Sequence, residues 1–369
     1  MKEKILLVGN LSSVAQSLAE EVLAAGFVAV SATTSDEALS VLAGEQVFGI
    51  VYEAGSPAVE RVCATVRGNA RYDAVPLIAF VTDVSEKVLG PVFAAGTDDY
   101  LPLGERGDLE DKLRELRESA AAGVATYTKA RAVVADAERQ RRVLYARTLR
   151  QASYDVHFAL DEAEVASVLE KDPTVQLVLA DADLPPSGSL DLLENVRAQG
   201  KERPIWIVSG PADRRAYLAS RLAAQRHAAY HDSGGPPENL IYAVNTLSSA
   251  PAVSQRTSAR LLHGVPSSFR VEGRTNVVWG ATFNVSRGGV YLRTLTPPAF
   301  GAILRVRLEA PAGGRVVDLR AQVVWRKEFG ARSGAPGPAG MGLQLAGCDP
   351  AELAEYEAGY DRLVAKTKE

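Results

Sequence analysis

One hydrophobic pattern occurs twice along the first two thirds of the chain. Ile5-Leu6-Leu7-Val8-Gly9-Asn10 begins one copy, and Ala132-Val133-Val134-Ala135-Asp136-Ala137 begins another 127 residues later. After the first run, Val14, Leu18 and Val22 recur every four residues and Gly26 follows, which predicts an amphipathic helix closed by glycine. Tyr145 and Leu149 hold the equivalent places in the second copy. Short strands are predicted next over 27–32 and 154–159, then helices opening at Asp36-Glu37-Ala38-Leu39 and Asp161-Glu162-Ala163-Glu164. Apolar runs at 48–52 and 75–81, and again at 176–180 and 203–208, read as buried strands. Strands alternating with helices predict βαβ units around a parallel sheet covered on both faces. Each copy has room for five strands, and a charged helix over 105–122 ends the first.

From Gln255 the period changes to two. Leu304, Val306 and Leu308 alternate with Arg305, Arg307 and Glu309, and Leu319, Ala321, Val323 and Trp325 alternate with Arg320, Gln322 and Arg326. These read as half-buried antiparallel strands. Six fit between Ser267 and Ala346, followed by a helix from Pro350 to about Val364, the pattern of a small closed barrel. The expected domains are 1–122, 129–248 and 249–369, with linkers at 121–128 and 247–254.

With 369 residues, 47% of them hydrophobic and 23% charged, the chain is neither disordered nor fibrous. Its two cysteines, Cys63 and Cys348, lie far apart, which excludes a disulfide framework and a cysteine-rich zinc site and fits a reducing cytoplasm. The apolar stretch after Met1 is short for a signal peptide, and no run of about 18 apolar residues occurs, so a cytoplasmic protein without membrane insertion is expected. Charge changes the picture more. Residues 1–250 hold 25 Lys+Arg against 35 Asp+Glu, whereas 251–369 hold 16 against 10, and all but three of those 16 are arginine. Guanidinium forks pair with phosphate through two hydrogen bonds, so the last third points to a phosphate-bearing partner.

Both repeat copies resemble receiver domains of bacterial two-component response regulators, over roughly 3–120 and 130–247. That resemblance implies two flavodoxin-like α/β folds, each with a five-stranded parallel sheet. In that family an acidic pair after the first strand and an aspartate after the third hold Mg²⁺. The aspartate accepts a phosphoryl group, and a hydroxyl and a lysine after strands four and five stabilise the product. The first copy places Gly9 and Asn10 at the acidic pair, Glu53 at the acceptor, Thr82 at the hydroxyl and Leu103 at the lysine. It is expected to accept no phosphoryl group. The second keeps Asp181 at the acceptor, Asp136 as one acid and Ser209 as the hydroxyl, but Ala137 replaces the other acid and the lysine position falls near Ser233. Each lost charge-assisted contact removes roughly 1.5–3 kcal/mol. The expectation is two pseudo-receivers that serve as protein-docking or dimerisation surfaces, with unidentified protein partners and a homodimer as their contacts. A phosphorylation-controlled response regulator acting through Asp181, with Mg²⁺ bound there, is the first alternative.

The C-terminal third resembles a PilZ domain, the bacterial receptor module for cyclic di-GMP. Arg256-Thr257-Ser258-Ala259-Arg260 matches the family's Arg-x-x-x-Arg, and Asn284-Val285-Ser286-Arg287-Gly288-Gly289 its Asp/Asn-x-Ser-x-x-Gly. The resemblance implies a six-stranded antiparallel β-barrel preceded by an arginine-bearing linker. Arg256 and Arg260 are expected to grip phosphate and guanine, Asn284 and Ser286 to meet the opposite guanine edge, and Gly289 to allow close backbone approach. By the same analogy, a linker loose without ligand clamps when ligand binds. A barrel that binds only protein partners is the second alternative.

His227 and His231 are four apart, a spacing that can chelate metal, but no third ligand accompanies them and a surface pair is expected. No nucleophile elbow occurs. Neither the Gly-Gly-Asp-Glu-Phe nor the Glu-Ala-Leu type of catalytic block is present; Glu37-Ala38-Leu39 is a tripeptide within a helix. The chain therefore reads as a non-enzyme without a resident cofactor, and no helix-turn-helix signal points to DNA.

Overall fold

Capping side chains start corresponding helices in the two repeat copies. Thr34 Oγ1 accepts from the Glu37 N–H at 3.2 Å, and the Glu37 carboxylate accepts from the Thr34 N–H at 3.3 Å. In the second copy Asp161 Oδ1 accepts from the Glu164 N–H at 2.8 Å. Each bond satisfies a backbone donor that the open helix end leaves unpaired. The computed structural model describes residues 3–10, 14–103, 107–121, 129–200, 202–248, 258–330 and 337–368.

The first domain runs β1 (Lys4–Val8), α1 (Ala15–Ala24), β2 (Val28–Ala32), α2 (Ser35–Gly44), β3 (Gly49–Glu53), α3 (Pro57–Arg67), β4 (Leu77–Val81), α4 (Glu86–Ala94), β5 (Asp99–Pro102) and α5 (Asp108–Ala121). The second repeats it as β6 (Ala130–Ala135), α6 (Arg139–Gln151), β7 (Tyr154–Ala159), α7 (Glu162–Lys171), β8 (Val175–Asp181), α8 (Ser189–Ala198), β9 (Ile205–Gly210), α9 (Arg215–Leu222), β10 (Ala228–Asp232) and α10 (Asn239–Ser248). Their parallel sheets share one order, β2-β1-β3-β4-β5 and β7-β6-β8-β9-β10. Each sheet buries apolar side chains on both faces: Ile5 and Leu7 point to one side, Leu6 and Val8 to the other.

The third domain has β11 (Leu261–Leu262), β12 (Pro266–Val271), β13 (Val278–Ser286), β14 (Gly289–Arg293), β15 (Ile303–Glu309), β16 (Val316–Lys327), β17 (Gly340–Leu345) and α11 (Pro350–Lys368). Strands pair antiparallel in the order β13-β12-β15-β16-β17-β14, and β14 returns to β13, which closes a six-stranded barrel. Along β15, Leu304, Val306 and Leu308 face inward and Arg305, Arg307 and Glu309 outward, as the alternation predicts. The last helix extends about one turn past the expected end, and α10 takes up the first two residues of the expected second linker. Among the described residues, no helix is long and apolar enough to cross a membrane.

The three domains meet at buried charges. Lys112 on α5 donates to Asp99 at 2.8 Å and to the Trp279 carbonyl of the barrel at 3.1 Å. The same Asp99 oxygen accepts from the Leu295 N–H at 2.8 Å, and the Tyr100 hydroxyl donates to the Gly280 carbonyl at 2.8 Å. Arg293 of the barrel donates to the Thr97 carbonyl at 2.9 Å, lies 3.9 Å over the Phe93 ring and pairs with Glu238 of the second domain at 3.5 Å. A buried charge needs such partners to offset its lost hydration. The β5 side of the first domain is thereby covered by the barrel.

Candidate functional site

Ser286 ends β13 and pairs with Gly289 at the start of β14, so Arg287 and Gly288 form a two-residue turn. The C-terminal helix holds that turn. The Tyr356 hydroxyl lies 2.9 Å from the Ser286 carbonyl and 3.0 Å from that of Gly289, and Arg287 pairs with Glu357 and Asp361. Ser286 Oγ donates to the Gly289 carbonyl at 3.2 Å.

Gly289 does make a close approach, but to a neighbouring strand. A Cβ there would lie 2.5 Å from the Leu343 carbonyl oxygen of β17, so barrel closure itself demands glycine.

Arg260 sits just before β11, which pairs with Val285 and Asn284. Its backbone is tied from two sides. The Tyr360 hydroxyl of α11 donates to the Ala259 carbonyl at 2.8 Å, and the Tyr242 hydroxyl of α10 donates to the Arg260 carbonyl. Arg256 lies outside the described residues.

Arg260, Asn284, Ser286 and Gly289 line one cavity of about 1090 Å³. Phe283, Tyr291 and Trp325 line it as well, a tilted, edge-to-face aromatic cluster that the two sequence motifs did not single out. Tyr291 stands 5.3 Å from Trp325 and 5.7 Å from Phe283, ring centre to ring centre. Its hydroxyl donates to the Pro338 carbonyl at 2.6 Å, and burial pushes its phenol far above the ordinary value. Rings held in this way, beside a guanidinium and short polar side chains, suit a flat aromatic base carrying phosphate. The far wall comes from α10 through Tyr242, Asn245 and Thr246. That helix carries a polar i, i+3, i+4 stripe legible in the sequence, but its partner surface was not.

In the second domain Asp136 and Asp181 converge on one guanidinium. Arg141 Nε donates to Asp136 at 2.8 Å, and its Nη2 donates to Asp136 and to Asp181, each at 3.0 Å. The remaining Asp181 oxygen accepts from the Asp183 N–H at 2.9 Å, and Asp136 also accepts from the Glu138 N–H at 2.7 Å. Burial pushes the Asp181 carboxyl above its ordinary value, against the lowering pull of that N–H and of Arg141. As arranged, these donors do not fit Mg²⁺: each carboxylate oxygen accepts an N–H, and the half-exposed Arg141 guanidinium occupies the space between the acids. Among the described residues, no group of three or more His, Cys, Asp or Glu side chains is placed to hold a metal. Ser209 is buried and lies 2.9 Å from the Tyr145 hydroxyl.

In the first domain Glu53 accepts from the Asn10 N–H at 3.1 Å, and Thr82 and Leu103 are exposed. His231 is not at the surface, contrary to the expected surface pair with His227. It is buried against the edge of Tyr145 on α6, at 5.4 Å between rings.

The PilZ domain family model matches residues 254–359. No curated protein sequence matches the chain. Among solved structures, a two-component system response regulator/GGDEF domain protein is 20% identical, with 67% of this chain and all of that one aligned at a TM-score of 0.32. The chemotaxis response regulator CheY4 of Vibrio cholerae is 21% identical over 32% of this chain and 98% of that one, at 0.28. The PilZ domain of CeSA from a cellulose-synthesizing bacterium is 17% identical over 30% of this chain and all of that one, at 0.22. Residues 254–359 are a PilZ domain, carried behind two α/β domains whose sheets have the flavodoxin-like strand order 2-1-3-4-5.

Proposed function

We propose that this chain is a cytoplasmic, non-catalytic signalling adaptor that binds cyclic di-GMP in the barrel cavity. The observation that carries the reading is the convergence of Arg260, Asn284 and Ser286 on one space beside the Phe283, Tyr291 and Trp325 rings. The ligand's chemistry matches it. Two phosphates suit a guanidinium, guanine O6 and N7 accept from an arginine fork, and flat bases stack on rings. The receiver-like domains then act as scaffold and as surfaces for protein partners. The paired state of Asp181 favours this role over control by phosphorylation. Calorimetric titration of the full chain with cyclic di-GMP tests the reading. Saturable binding supports it, and no binding overturns it.

A further inference from the structure

We infer that the second α/β domain supplies part of the nucleotide site, with α10 hydrogen-bonding the bound cyclic dinucleotide through Asn245 and Thr246. This rests on the cyclic di-GMP reading above.

The helix divides cleanly. Leu240, Ile241 and Val244 are buried in their own domain, whereas Tyr242, Asn245 and Thr246 follow i, i+3, i+4 spacing along the other side and line the cavity. Across the space stand Arg260, Asn284 and Ser286. The helix is also fastened to the arginine segment, because the Tyr242 hydroxyl donates to the Arg260 carbonyl. Thr246 Oγ1 donates to the Tyr242 carbonyl at 2.9 Å, and this fixes its lone pairs as acceptors. An asparagine amide offers a donor and an acceptor side by side, which suits the O6 and N1–H edge of guanine.

The test is calorimetric titration of the full chain with cyclic di-GMP, in the wild type, Asn245→Ala and Thr246→Val. Thr246 is exposed, so its substitution leaves the fold intact even where that of Asn245 does not. The expected result is affinity weakened about fivefold in each variant, the loss of roughly one hydrogen bond. Wild-type binding with both variants at wild-type affinity overturns the inference and leaves the functional reading standing. A wild type that does not bind overturns the functional reading, and this inference with it.

Discussion

Arg147 of α6 reaches across the boundary between the first two domains and donates to Asp98 Oδ1 at 2.8 Å. Arg67 of the first domain takes Oδ2 at 2.6 Å. All three side chains are buried, and one carboxylate serves two guanidinium groups. Burial, together with the charge of Arg147, pulls Arg67 down to about 10. Asp98→Ala leaves two buried cations without their anion. A loss of about 3–5 kcal/mol in denaturant-unfolding stability is expected. A loss below about 1 kcal/mol would show that the junction contributes little.

The Arg141 bridge predicts that acetyl phosphate with Mg²⁺ leaves the mass of the wild-type protein unchanged, since the guanidinium competes with the metal for both Asp136 and Asp181. A mass gain abolished by Asp181→Asn would restore the phosphorylation-controlled alternative.

His231 predicts a specific acid sensitivity. Burial pushes its imidazole down to about 4, and the nearby Asp232 charge opposes that only in part. The unfolded chain titrates near 6.5. The unfolded state therefore binds more protons between these values, and stability is full above pH 6.5 and falls as pH drops towards 4. The loss amounts to roughly 3 kcal/mol. His231→Phe should flatten that part of the stability–pH curve. An unchanged slope would contradict the assignment.

Gly289→Ala forces a Cβ against the Leu343 carbonyl and should lower the melting temperature by several degrees, because β14 and β17 must part. Loss of ligand affinity with an unchanged melting temperature would instead place Gly289 against the ligand.

The sequence made the repeat, the change of period at the barrel and the motif around Asn284 visible, because each is written in local spacing. It did not show where the domains dock. Thr97-Asp98-Asp99-Tyr100 forms the edge that meets Lys112, Arg147, Arg293 and the barrel backbone. Those partners lie up to 196 residues away, beyond any periodicity. The same holds for Asn245 and Thr246, whose helix face gains meaning only when the barrel stands opposite. His231 misled for a related reason: its strand reads as partly polar, and the ring packed against it is Tyr145 of α6, far away in the chain.

The most direct test compares cyclic di-GMP binding by the full chain with that of Arg260→Ala in the same calorimeter and salt. The account predicts saturable binding by the wild type and affinity reduced about tenfold or more in the variant, the loss of a charge-assisted contact. Equal affinity in the two proteins would contradict it.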